Sequence, residues 1–255
     1  MFEGKVAWVT GSADGLGKAT AMMLAKGGAD LVLCDILGEK VEQTSKEIEA
    51  MGRKSLAYRV DVTVRSEVEK MVGEAVKRFG RIDFLFNNAG GPFAIPRDVE
   101  AVSDEDWHRV IHVNLTGTFV CCRAVVPVMK RHQFGSIVSV SSSAARDGGE
   151  LSSPAYAAAK AGVIGLTRNL ARQLAPFNIR VNAVAPGLTL TSEAQKARVL
   201  SEGYRERRER SFESALMRRY GEPREIASGI CFLLSEEASF ITGATIDVSG
   251  GRYFA

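Results

Sequence analysis

Lys5-Val6-Ala7-Trp8-Val9-Thr10-Gly11-Ser12-Ala13-Asp14-Gly15-Leu16-Gly17 decides the fold: an apolar run passes straight into three glycines and then into the helical pattern Leu16 to Lys26. A short run rich in Val and Trp predicts a strand. In a strand–turn–helix of this order, Gly11 permits the tight turn and Gly15 lets backbone amides approach a pyrophosphate. Gly17 lets the helix pack close to the strand, with its positive N-terminus at the phosphates. Ala13, Asp14 and Leu16 belong to the same phosphate-binding loop. A glycine cluster alone would be an ordinary turn; its place after the first strand makes it a dinucleotide signal.

Outward from this loop the rhythm repeats. Strands are predicted at Lys5 to Thr10, Asp30 to Asp35, Ser55 to Arg59, Phe84 to Asn87, Ser136 to Ser141, Arg180 to Ala185 and Thr245 to Val248. Most are near-continuous apolar runs, as in strands buried on both faces. Helices are predicted at Leu37 to Met51, Arg65 to Phe79, Asp104 to Arg131 with a break, Ala155 to Leu174 and Glu222 to Leu234. Alternation of this kind predicts an α/β fold: one Rossmann-like, doubly wound domain over residues 1–255, with about seven parallel strands and helices on both faces. One polar, helix-prone insertion, Thr189 to Arg219, breaks the pattern and reads as a substrate lid.

Composition excludes several classes. The chain has 255 residues, 45% hydrophobic and 25% charged, so disordered and collagenous readings fit poorly. Cys34, Cys121, Cys122 and Cys231 form no C-x-x-C pair and no zinc spacing with histidine, so no metal is expected and buried, reduced thiols are. The N-terminus runs directly into a strand, and no uninterrupted apolar run approaches the roughly 18 residues of a membrane span. A cytoplasmic location with no membrane partner is therefore expected. A net charge of +3 and no recognised nucleic-acid-binding module argue against a nucleic-acid partner.

Asp35 closes the second strand, about 20 residues beyond the glycines, where a carboxylate can accept from both hydroxyls of an adenosine ribose. It would repel a 2′-phosphate, and the following Ile36, Leu37 and Gly38 offer no cation, so NAD is read over NADP. Alternatively, Asp35 merely caps the next helix. Asp61-Val62 and Asn87-Asn88-Ala89-Gly90 supply groups at the C-terminal ends of strands three and four, the ligand-binding edge of an open α/β sheet.

Tyr156-Ala157-Ala158-Ala159-Lys160 puts a phenol and an ammonium on one helical face. An adjacent ammonium favours phenolate and is expected to lower the tyrosine pKa by roughly one to three units, toward acid–base use near neutrality. Ser141-Ser142-Ser143 ends the strand before this helix, and Asn114 lies in a helical pattern with Val113 and Leu115.

Taken with Thr10-Gly11-x-x-x-Gly15-x-Gly17, Asn87 to Gly90, Pro186-Gly187 and the ending Ile241-Thr242-Gly243 through Asp247-Val248-Ser249-Gly250-Gly251, these residues resemble the short-chain dehydrogenase/reductase family over essentially the whole chain. The resemblance implies that Tyr156 exchanges a proton with the substrate oxygen during hydride transfer, and that Lys160 lowers the tyrosine pKa and binds the nicotinamide ribose. It implies a serine bonded to the substrate oxygen, and Asn114 holding a water that links Lys160 to solvent. Asn88, Ala89, Gly90 and Tyr156 join the cofactor contacts, and Pro186, Gly187, Thr189 and Thr191 frame the nicotinamide and its phosphates. Family members are commonly tetramers joined through the long helices, here Asp104 to Arg131 and Ala155 to Leu174, so a homotetramer is expected.

Counting along the strand makes Ser142 the catalytic serine, 14 positions before Tyr156 and one more than the family's usual spacing; counting back from the tyrosine gives Ser143. Strand geometry fixes side-chain direction, whereas the loop Ala144 to Ser153 can absorb an insertion, so Ser142 is preferred.

Residues 196–219 carry eight cations (Lys196, Arg198, Arg205, Arg207, Arg208, Arg210, Arg218 and Arg219) against Glu202, Glu206, Glu209 and Glu213, an excess of +4 where the whole chain has +3. These charges are either a solvated surface paired at helical spacing or, with Arg146, a site for an anionic substrate such as a hydroxy acid or a coenzyme A thioester. Phe93, the 144–153 loop and the lid are expected to shape the substrate pocket. The sequence therefore reads as an NAD-dependent enzyme interconverting a small-molecule secondary alcohol and ketone. The alternatives are a 3-oxoacyl-thioester reductase or 3-hydroxyacyl dehydrogenase and, from another class, a non-catalytic cofactor-sensing protein.

Overall fold

The structure, a computed structural model, describes residues 1–149, 152–190, 193–213 and 215–253, without the side chains of 193–195, 198, 204, 207, 208 and 211. Within these residues the strands are β1 (Val6–Thr10), β2 (Asp30–Asp35), β3 (Ser55–Arg59), β4 (Phe84–Asn87), β5 (Gly135–Val140), β6 (Ile179–Pro186) and β7 (Thr245–Val248). They form one sheet of order β3-β2-β1-β4-β5-β6-β7, parallel throughout. The order reverses at β1, which pairs with β2 on one side and β4 on the other. The crevice at the C-terminal ends of those strands is where such sheets bind ligands. Strand ends differ from the expected ones by a residue or less at each end, where the ladder rather than composition decides.

The helices are α1 (Gly15–Lys26), α2 (Gly38–Ala50), α3 (Arg65–Phe79), α4 (Asp104–Ile111), α5 (Gly117–His132), α6 (Ala144–Asp147), α7 (Pro154–Leu174), α8 (Glu193–Leu200), α9 (Arg205–Glu213) and α10 (Pro223–Leu234). Alternation along β1 feeds two cores: Ala7 and Val9 pack with α1, α2 and α10, while Val6 and Trp8 pack with α3, α5 and α7. All four cysteines are buried thiols, and burial pushes Cys34, Cys122 and Cys231 up to about 12.

The break expected between Asp104 and Arg131 is a π-helical turn, His112–Thr116, joining α4 to α5. The stretch Asp104–His132 is 29 residues long and contains a window of mean hydropathy 1.4, long and apolar enough by composition to cross a membrane. Its apolar residues are interrupted by Asn, Thr and Gly, so no uninterrupted run shows it. In the fold Val110, Cys121, Val125 and Met129 are buried within the protein. The expected lid contains α8 and α9, joined by the short 3₁₀ turn Glu202–Tyr204.

Candidate active site

The glycine loop leaves β1 with Gly11 at φ 63° and Gly15 at φ 56°, the left-handed region glycine tolerates. A methyl at Gly11 would stand 2.8 Å from Asn88 Nδ2, and one at Gly17 would press into the Gly11 carbonyl and lie 2.7 Å from the same amide. Asn88 stitches the loop to β4, donating to the oxygens of Thr10 (3.1 Å) and Gly11 (2.9 Å). Thr10 Oγ1 accepts from Asn88 N and Ala89 N, both at 3.0 Å. Asp14 caps α1, accepting from Gly15 N. The amides at the α1 N-terminus could therefore hold a pyrophosphate.

Asp35 links both sides of the adjoining groove, accepting from Ala13 N and Leu37 N at 3.0 Å each. It both orders the turn into α2 and stands where a ribose could bind. Ile36 is exposed beside it, Ala13 and Leu16 are buried, and Val62 is buried against Gly117. Asp61 ties its own turn, accepting at Oδ1 from Thr63 N and Oγ1.

Three serines diverge at the end of β5. Ser141 Oγ donates to Lys160 O at 2.9 Å; Ser143 is buried, with its amide on Pro186 O. The Ser142 side chain faces the Tyr156 phenol, near enough to pull its pKa down, and accepts from Ala144 N at 3.1 Å. The structure thus brings Ser142, not Ser143, to Tyr156.

Tyr156 sits in the first turn of α7, whose start is fixed by Ser153 accepting from Tyr156 N at 3.2 Å and by Pro154 at the first helical position. That Ser-Pro pair was a legible helix start in the sequence. Lys160 is buried, donates to Val140 O at 2.9 Å, and lies 5.6 Å from the Tyr156 ring centre. The expected lowering of the phenol is overturned: burial pushes Tyr156 up to about 12, against which the Ser142 hydrogen bond pulls down. Burial likewise lowers Lys160 to about 8. Desolvation penalises both charged forms, and the ammonium is spent on a carbonyl rather than on the phenol.

Asn114, at the centre of the π turn, is fully buried. Its Nδ2 donates to Gly91 O (3.0 Å) and Val110 O (2.9 Å), while Oδ1 accepts from Gly91 N (3.0 Å). Both amide hydrogens are used, so a relay water would depend on acceptor capacity here. A methyl at Gly90, φ 138°, would stand 2.5 Å from Asn114 Oδ1.

Around the substrate side, Phe93 is held at φ 51° with the Arg109 guanidinium 5.3 Å from its ring. Pro186 ends β6, and Gly187 packs so closely on Ser249 that a methyl would lie 2.7 Å from its oxygen. Thr189 donates to Gly187 O and bridges to Gly221; Thr191 lies outside the described residues. In the lid, Arg205 pairs with Glu202 and Glu209, and Arg219 is bidentate on Glu225. These two carry the paired-surface reading; Lys196, Arg210 and Arg218 are exposed, and the side chains of Arg198, Arg207 and Arg208 lie outside the description. Arg146 is committed through Nε and Nη2 to Asp247 and Thr245 O, which weighs against a role in holding an anionic substrate. Among the described residues no cluster of three His, Cys, Asp or Glu could hold a metal.

A family model described as enoyl-(acyl carrier protein) reductase matches residues 11–252. The chain is 43% identical to the 3-oxoacyl-[acyl-carrier-protein] reductase FabG of Thermotoga maritima, over 98% of each chain. It is 40% identical to the (2S)-[(R)-hydroxy(phenyl)methyl]succinyl-CoA dehydrogenase subunit BbsD of Thauera aromatica, over 98% of this chain and 97% of that one. Among solved structures, NAD⁺-bound xylitol dehydrogenase superposes with a TM-score of 0.91 at 36% identity, over 98% of this chain and 99% of that one. Levodione reductase gives 0.92 at 34%, over 99% and 98%.

Proposed function

The chain belongs to the short-chain dehydrogenase/reductase family of oxidoreductases, and from that premise we propose that it interconverts a secondary alcohol and a ketone with NAD. The observation that carries the reading is the convergence of Ser142, Tyr156 and Lys160 at the sheet edge that also holds the glycine loop. The left-handed Gly11 and Gly15, the α1 N-terminus and Asp35 fit a dinucleotide, with Asp61, Val62, Asn88, Ala89, Gly90, Pro186, Gly187, Thr189 and Thr191 along its path. When bound, the nicotinamide ring supplies or takes up the hydride. Ser142 donates to the substrate oxygen, and Tyr156 gives that oxygen a proton in reduction or takes one in oxidation. Lys160 would hold the nicotinamide ribose, and Asn114, which also anchors Gly91, would hold the water that links Lys160 to solvent.

Asp35 supports NAD, as does the NAD⁺-bound state of a close structural neighbour. A 3-oxoacyl-thioester reductase or 3-hydroxyacyl dehydrogenase is the second reading, favoured by the names of the FabG and BbsD relatives. A homotetramer built through α4–α5 and α7 and a cytoplasmic location are part of the same proposal, the latter supported by four buried thiols. Initial rates on alcohols, hydroxy acids and hydroxyacyl thioesters with NAD and NADP separate the readings. Tyr156→Phe is expected to abolish activity; full activity in that variant would remove the mechanism.

A further inference from the structure

The turn that carries Ser142 is tied to chain a hundred positions away. Arg146 in α6 donates from Nε and Nη2 to the two carboxylate oxygens of Asp247 on β7, each at 3.3 Å, and from Nη2 to Thr245 O at 3.1 Å. Its neighbour Asp147 accepts from Arg252 Nε at 3.1 Å and from Gly149 N at 2.8 Å. The Arg146 guanidinium also lies 5.5 Å from the ring centre of Tyr253. The Arg146–Asp247 pair is largely shielded, with side-chain exposure of 14% and 15%; in the second pair Arg252 is 8% exposed and Asp147, the open partner, 28%. Exposed pairs contribute little, whereas removing one partner of a buried pair strands a desolvated charge.

On its other side the clamp reaches the serine through the backbone of the same turn. Arg146 N donates to Ser143 O at 2.8 Å, and Ala144 N donates to Ser142 Oγ at 3.1 Å. α6 has one turn, too short to hold itself, and it runs into Gly148 and Gly149, both at positive φ. Met217 N at the end of the lid donates to Gly250 O at 2.9 Å, so lid and serine turn share one C-terminal anchor.

We propose that Arg146 and Arg252 are positioning residues: through Asp247 and Asp147 they clamp the Ser142 turn onto β7 and the C-terminal segment, fixing the Ser142 hydroxyl beside Tyr156. This rests on the reading of Ser142 as the donor to the substrate oxygen. Displacing a reacting group by about 1 Å can cost on the order of a hundredfold in rate, so Arg146→Met is expected to lower kcat by about ten- to a hundredfold. NAD affinity, titrated by intrinsic fluorescence, stays at the wild-type value, and Arg146→Lys recovers part of kcat. In a Ser142→Ala background Arg146→Met costs no further kcat, because the group it positions is already gone. Amide hydrogen exchange over residues 141–147 speeds up in Arg146→Met and Arg252→Met whatever the chemistry. Losses that multiply in the double variant, or wild-type exchange with wild-type kcat, overturn the clamp. Should Ser142→Ala keep full kcat, the serine's role falls, and exchange alone then decides: faster exchange upholds the clamp and unchanged exchange removes it.

Discussion

The ammonium nitrogen of Lys160 stands 5.6 Å from the centre of the Tyr156 ring, and burial shifts the two groups in opposite directions, the phenol up to about 12 and the ammonium down to about 8. Each shift favours the neutral form. A neutral phenol can give a proton to a ketone oxygen but must first lose one to accept a proton from an alcohol. Ketone reduction is therefore expected to vary little with pH below about 7, before the Lys160 ammonium discharges near its lowered value of about 8, while alcohol oxidation climbs toward about tenfold per unit, as the phenolate fraction does below its pKa. Initial rates in both directions across that range check the sign; an oxidation rate flat in pH would show that the phenol is not the proton acceptor.

Ser142 and Ser143 make opposite predictions. The Ser142 side chain faces the Tyr156 phenol, whose pKa it pulls down, whereas Ser143 is buried with its amide on Pro186 O. Ser142→Ala is expected to lower kcat by about a hundredfold or more, the loss typical of one transition-state hydrogen-bond donor, with KM little changed. Ser143→Ala is expected to stay within about threefold of wild type, as a lost packing contact would. The reverse ranking in steady-state kinetics would restore the count made back from Tyr156.

What the sequence disclosed was local. The glycine loop and the Tyr156–Lys160 spacing are short patterns whose geometry follows from one strand or one helix. The burial that inverts the expected tyrosine shift is a sum over α4, the π turn and α7, which no spacing of four encodes. His112-Val113-Asn114-Leu115-Thr116 reads as ordinary helix, because a π turn differs in hydrogen-bond register rather than composition. Arg146 looked free because its partner Asp247 lies 101 positions along the chain and reaches it only through sheet closure at β7.

Asp35 carries the cofactor preference. Its carboxylate already orders the groove by accepting from Ala13 N and Leu37 N, so truncation would confound binding with loop order. Asp35→Asn removes the charge and keeps one acceptor, but its amide hydrogens then face Ala13 N or Leu37 N, so thermal melts accompany the kinetics to separate loop order from binding. A charge-assisted hydrogen bond contributes about 1.5–3 kcal/mol, so KM for NAD should rise by roughly ten- to a hundredfold while discrimination against NADP weakens. Kinetics with both cofactors measure this; a wild-type enzyme that prefers NADP would sink the assignment.

Two glycines with opposite surroundings test the fit of the phosphate loop. A Cβ at Gly17 would press into the Gly11 carbonyl and lie 2.7 Å from Asn88 Nδ2, the amide that donates to Thr10 O and Gly11 O. Those neighbours are backbone and a fully engaged side chain, so the loop must open. Gly17→Ala is expected to cost about 1–3 kcal/mol by overpacking, to lower Tm by several degrees, about 2–4 °C per kcal/mol at this chain length, and to weaken NAD binding more than tenfold. Gly73, on the exposed face inside α3, has nothing within 4 Å of its Cβ position. There alanine removes only backbone freedom from the unfolded chain, and Gly73→Ala should stabilise by about 0.5–1 kcal/mol with NAD affinity unchanged. Thermal melts and NAD titrations of both variants separate a general glycine effect from the loop's own requirement: if Gly17→Ala melts and binds as wild type does, the close approach of α1 to β1 is not what builds the site.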